Sequence, residues 1–100
     1  MKRTILLLQL LLIPILLKAN YLVEIDGINY YLNDLSETAA VTRGESNYSG
    51  TIIIPSQVSF GDVIYTVTSI ESYAFSDCSE LVAIDIPKSL ISIGNYAFSN

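Results

Sequence analysis

Ser69-Ile70-Glu71-Ser72-Tyr73-Ala74-Phe75-Ser76-Asp77 returns further along the chain as Ser92-Ile93-Gly94-Asn95-Tyr96-Ala97-Phe98-Ser99-Asn100, with six of nine positions identical. Position 92 thus stands for position 69. Self-similarity at a fixed period is the mark of a repeat architecture. A second echo links Ile52-Ile53-Ile54-Pro55 to Ile84-Asp85-Ile86-Pro87, with Val58 matching Leu90, so that position 84 stands for position 52. The second spacing is the longer by nine positions, about the length of a small hairpin over 59–67, which the first copy holds as an insertion. One unit reads Leu81-x-x-Ile84-x-Ile86-Pro87-x-x-Leu90-x-x-Ile93-x-x-Tyr96-Ala97-Phe98.

Ile84 and Ile86 are two apart, so they share one face of a strand and leave Ala83 and Asp85 on the other. Pro87 ends the strand, because it has no N–H to give to a ladder. Leu90 and Ile93 continue the inward set through a bend, and residues 95–98 predict a single helical or 3₁₀ turn that returns the chain. The expected repeat core is Ile70, Phe75, Leu81, Ile84, Ile86, Leu90, Ile93 and Phe98. Such a unit cannot bury its apolar face alone; it needs neighbours that pair with its strand and cover its open ends.

Upstream, residues 21–25 and 28–32 are two β-rich stretches around Asp26-Gly27. Asp-Gly favours a two-residue type I′ turn, which requires positive φ at both central positions. Residues 33–50 are polar and turn-rich, with a possible strand at 39–42. Residues 51–54 predict a strand stopped by Pro55, and 59–68 a second hairpin around Gly61-Asp62 with Val63, Tyr65 and Val67 on one face. No apolar stripe of helical period and length occurs after residue 19.

At the other end, Met1-Lys2-Arg3 is a positive head, followed by an apolar run over 5–17 broken only by Gln9 and Pro14, then Lys18-Ala19-Asn20. That pattern predicts a secretory signal peptide over 1–19, cleaved at Ala19. The run is shorter than the roughly 17–25 apolar residues that cross a bilayer, so no membrane span is expected in the mature chain. Residues 20–100 keep only Arg43 and Lys88 against all 10 acids, a net charge of −8. That balance opposes nucleic-acid binding, which needs clustered cations. With no His and a single Cys, these residues offer no His-based triad, zinc cluster or internal disulfide. The acids are dispersed and follow no calcium-loop spacing. No catalytic residue, cofactor site or metal site is expected.

The turn Ile70-x-x-Tyr73-Ala74-Phe75-Ser76-Asp77-Cys78, followed by Leu81-x-x-Ile84-x-Ile86-Pro87, resembles the BspA-like branch of the leucine-rich repeats. Asp26-Gly27-Ile28-Asn29-Tyr30-Tyr31 and the later Gly50-Thr51-Ile52 stretch resemble the N-terminal region that often precedes these repeats in bacterial surface proteins. The resemblance implies a β-rich leucine-rich-repeat solenoid, with one short strand and one helical or 3₁₀ turn per unit of about 23 residues. A β-hairpin N-terminal cap would precede the stack. The expected organisation is a signal peptide (1–19), a cap region (20–67) and repeats (68–100), one complete and one partial. Family members stack many units, so this chain reads as the start of a longer surface protein or as a truncated product.

The same resemblance implies a non-catalytic adhesion module that is secreted or held at the cell surface, with a host, matrix or other-cell protein as partner. A structural capping fragment without activity of its own is the alternative, and a secreted enzyme with a downstream catalytic domain is a third. The outward strand residues Thr51, Ile53, Ala83 and Asp85 are the expected partner-facing set. An open solenoid end is also expected to self-associate. Cys78 reads as a small residue packed behind the turn, where the family pattern places a Cys; a reactive or intermolecular thiol is the other reading. Tyr73 and Tyr96, which recur in register, read as structural, while Tyr30, Tyr31, Tyr48 and Tyr65 stay open. Asn47-Tyr48-Ser49 matches a glycosylation sequon by pattern only.

Overall fold

The computed structural model describes residues 20–99. The expected signal peptide over 1–19 lies outside them. Among the described residues eight strands follow one another: β1 (Asn20–Ile25), β2 (Ile28–Asn33), β3 (Thr38–Thr42), β4 (Gly50–Ile53), β5 (Gln57–Phe60), β6 (Val63–Ile70), β7 (Leu81–Asp85) and β8 (Ser92–Ile93). They form a six-stranded sheet in the order β1-β2-β3-β6-β5, with β8 also on β6, and a separate pair β4-β7.

β1 and β2 pair antiparallel from Ile25↔Ile28 outward. The turn residues Asp26 and Gly27 have φ of 50° and 86°, the left-handed pair that a type I′ turn demands. β5 and β6 pair antiparallel from Phe60↔Val63, and Gly61 alone of the two turn residues takes positive φ, as in type II′. Alternation does most of the rest: Ile28, Tyr30 and Leu32 face inward from β2, Ala39 and Val41 from β3, and Tyr65 and Val67 from β6, while a register shift that skips Thr68 brings Ile70 inward as well. Ile54, Val58, Ala74 and Phe75 close the same core.

The remaining ladders are parallel and carry the repeat. β6 pairs with β8 at Ser69↔Ser92 and Ile70↔Ile93, and β4 pairs with β7 at Ile52↔Ile84 and Ile53↔Asp85. The two sequence offsets are thus the registers of two ladders. β3 joins the first of them: Ala40↔Ser69 and Val41↔Ile70 pair in parallel. The N–H of Glu71 donates to the Val41 carbonyl at 2.8 Å, and one layer on the N–H of Gly94 donates to the Ile70 carbonyl at 2.7 Å. Rings follow suit, Tyr48 against Phe75 at 4.8 Å and Phe75 against Phe98 at 5.4 Å between centroids. Residues 38–53 therefore lie in the same columns as the two sequence repeats. The expected boundary between 67 and 68 falls inside the continuous strand β6.

One expectation is corrected. The returning segment is not a helical or 3₁₀ turn, and no helix occurs among the described residues. Instead β-turns are chained: Ala74 N–H to Glu71 O at 3.2 Å, Ser76 to Tyr73 at 3.1 Å, and Cys78 to Phe75 at 3.4 Å. Tyr73, Asp77 and Tyr96 have φ of 63°, 59° and 61°, which a 3₁₀ run excludes. Left-handed L-residues cost about 1–2 kcal/mol each. Burial of Ala74 and Phe75 and the layer-to-layer bonds Phe75 N–H to Ala97 O (2.7 Å) and Asp77 N–H to Ser99 O (3.0 Å) oppose that cost.

The expected repeat core is unevenly covered. Ile70 and Phe75 are fully buried, and Leu81, Ile84 and Leu90 are partly buried against the core. Ile86, Ile93 and Phe98 are 44%, 48% and 44% exposed. Inward aim is not burial: among the described residues no further layer stacks on the β7–β8 side of them.

Candidate functional site

Thr51 lies beside Ala83 and Ile53 beside Asp85 across the β4–β7 ladder. All four are exposed, while Ile52 and Ile84, one residue along, are partly buried. The expected partner-facing residues are thus brought together as two adjacent cross-strand pairs. A register shift between Gly50 and Thr51 leaves Val82 unpaired on β7, and its side chain is 80% exposed beside this row. The face mixes a hydroxyl, a carboxylate and the 65% exposed Ile53, a composition suited to contact with a protein surface.

A second feature gives no sign in the sequence. The loop 43–49 folds back on the β1–β2 hairpin and is pinned there by Tyr48. The buried Tyr48 hydroxyl donates to the Thr42 carbonyl at 2.6 Å and accepts the Asn29 backbone N–H at 3.0 Å. Gly44 lies so close to the end of the Asn29 side chain that a Cβ there would push that side chain aside. A cleft of about 770 Å³ results, lined by Leu22, Glu24, Asn29, Arg43, Glu45 and Ile52 among others. The Arg43 guanidinium donates to the Asn47 Oδ1 at 3.1 Å, and the Asn47 amide donates to the Asp77 carbonyl at 3.1 Å. Only a glycine's fit and one tyrosine's reach mark this site, and neither has a periodic pattern.

The open tyrosines now have places. Tyr65 donates to Asp34 Oδ1 at 2.6 Å, and the Tyr21 hydroxyl is within bonding distance of both Asp34 (3.1 Å) and Tyr65 (3.0 Å). These hydrogen bonds, to Asp34 first and Tyr21 next, push the Tyr65 phenol well above its ordinary value, with burial adding to the rise. Burial, helped by the nearby Tyr48 and Asp26, pushes Tyr30 up to about 12. Both groups stay neutral and structural. Tyr31 is half-exposed. Cys78 is partly buried, its thiol 3.7 Å from the Ser76 carbonyl. Among the described residues, no group of three or more His, Cys, Asp and Glu is placed to hold a metal ion, and no helix is long and apolar enough to cross a membrane.

Parallel single-strand rungs in register, stacked aromatic columns and repeated return turns define a leucine-rich-repeat solenoid. The family model of the BspA type leucine rich repeat region (6 copies) matches residues 50–100, and the chain belongs to that family. Among solved structures it is similar to a leucine rich cell surface protein from Faecalibacterium prausnitzii A2-165, with a TM-score of 0.65 and 28% identity over 81% of this chain. It is also similar to a leucine-rich repeat protein from Bacteroides capillosus ATCC 29799, with a TM-score of 0.63 and 26% identity over 81% of this chain. The chain spans 21% of the first of those proteins and 58% of the second. No curated protein matches it.

Proposed function

We propose that this chain is an exported, surface-located and non-catalytic protein-interaction module that engages its partner through the outward β4–β7 face. The observation that carries the reading is the in-register placing of Thr51 with Ala83 and of Ile53 with Asp85. A solenoid repeats such a row layer after layer, so contact area grows without new fold design. The leader over 1–19 and the cell-surface description of the Faecalibacterium protein support export. In this reading the β1–β2 hairpin caps the stack by pairing with β3, and the repeat stack begins at β3 rather than at residue 68.

Adhesion is the activity to test. Cells displaying the full chain should adhere to a surface coated with matrix or host proteins, and protease treatment of that coat should abolish the effect. A83R combined with D85K should reduce adhesion about tenfold, the effect of losing a central contact, with unchanged expression. Adhesion that persists in that double variant removes the outward face as the binding surface.

A further inference from the structure

We propose that the free edge of β4 receives an extended, basic peptide of a partner protein as an added strand. This goes beyond the outward-face reading, because the recognition is by backbone and by the two flanking cavities, and of the outward row it uses the side chain of Ile53 alone.

The hydrogen-bond parity of β4 sets the edge. Gly50 donates its N–H to the Glu80 carbonyl at 2.9 Å, and Ile54 donates to the Asp85 carbonyl at 3.0 Å. In a parallel ladder one residue in two turns its N–H and C=O toward a given neighbour, so Ile52 shares that direction. Thr51 and Ile53 therefore turn theirs to the opposite side. Among the described residues β4 pairs with β7 alone. An unpaired strand edge is a template for another strand.

Room for one exists on both sides of that edge. Ile52 lines the cleft of about 770 Å³ together with Leu22, Glu24 and Glu45. Its neighbour Ile53, with Ile25, Ile28, Pro55 and Val58, lines a smaller cavity of about 220 Å³. Successive side chains of a strand point to opposite faces, so an added peptide would send alternate side chains into each. Glu24 and Glu45 outnumber the one cation of the first, Arg43, and so favour lysine or arginine there. The apolar lining of the second favours valine or isoleucine. Asp26 at its rim adds to the negative field. A second copy of this chain carries the same acidic excess, 10 acids in all, so charge disfavours it as the occupant.

A fluorescent synthetic peptide alternating lysine and valine is titrated against the full chain and followed by polarisation. It should bind, while an alternating glutamate–valine peptide and a lysine–valine peptide N-methylated at alternate residues should each bind at least about tenfold more weakly. Added salt should weaken the complex. Ile53→Pro removes an N–H that β7 does not use, a substitution an edge strand accepts, and it should weaken binding about tenfold. Ala83→Gln, across from Thr51 on the outward face, adds no charge and should leave peptide binding as in the unaltered chain, whatever it does to adhesion. No binding, equal binding of the N-methylated peptide, or full binding by an Ile53→Pro chain with an unchanged circular dichroism spectrum overturns the proposal. If Ile53→Pro unfolds, the N-methylated peptide alone decides. Concentration-dependent dimers that Ile53→Pro dissolves would make a second copy the occupant and likewise overturn it.

Discussion

The ring of Phe75 lies flat against that of Phe98, with centroids 5.4 Å apart and planes 4° from parallel. The two residues occupy the same place in consecutive turns, yet Phe75 is 2% exposed and Phe98 44%. Tyr48 also packs on Phe75, at 4.8 Å and tilted by 40°, whereas Phe98 has Phe75 as its one ring neighbour among the described residues. One column thus runs from sealed core to open surface within a single repeat.

Truncating the two rings should therefore cost different amounts. Phe75→Ala opens a cavity in packed surroundings and should lose about 3–5 kcal/mol. Phe98→Ala removes a half-exposed ring and should lose about 1–2 kcal/mol. Urea titration of both variants checks this, and equal losses would contradict the burial difference.

Gly94 is required by close packing rather than by an unusual backbone angle. A Cβ there would collide with the Ser72 backbone nitrogen, while the Gly94 N–H holds the Ile70 carbonyl at 2.7 Å. The equivalent position in the preceding layer carries Glu71, so the repeat itself tolerates a side chain there. Gly94→Ala should destabilise by about 1–3 kcal/mol through forced separation of the layers, read as a lowered midpoint in the same titration.

Alkaline pH should unfold the chain through its tyrosines. Tyr65 and Tyr30 both titrate above their ordinary value of 10.0 in the folded state, Tyr30 at about 12. A folded pKa raised above the unfolded one means that the unfolded state releases the proton first. The stability these groups contribute is therefore full below pH 10, and is lost as pH rises from about 10 through the folded values. Unfolding free energy should stay level to about pH 10 and fall beyond it, and Tyr65→Phe should flatten part of that fall. A chain whose stability does not change up to pH 12 would refute the assignment.

Export should remove the leader. Mass analysis of the secreted product should show a new N-terminus at Asn20, after cleavage at Ala19. An exported product that retains Met1 would end that reading.

The sequence alone determined a good part of this molecule. The echo of Ser69 at Ser92 is the register of the β6–β8 ladder, and the echo of Ile52 at Ile84 is that of β4–β7. Equivalent residues in stacked units must face the same neighbours. Asp26-Gly27 set a hairpin, since few residue pairs accept positive φ twice in succession. Only the tertiary structure decided that Ala40, Val41 and Tyr48 enter the same columns. They share no motif with 69–77: backbone hydrogen bonds do not read side-chain identity, and any ring that fits can cap Phe75. Only the structure, likewise, traded the expected helical turn for left-handed tyrosines, a local cost offset by contacts between layers. The exposure of Ile86 belongs to the same class of fact. A pattern states which way a side chain aims, but what covers it depends on the neighbour it meets in space.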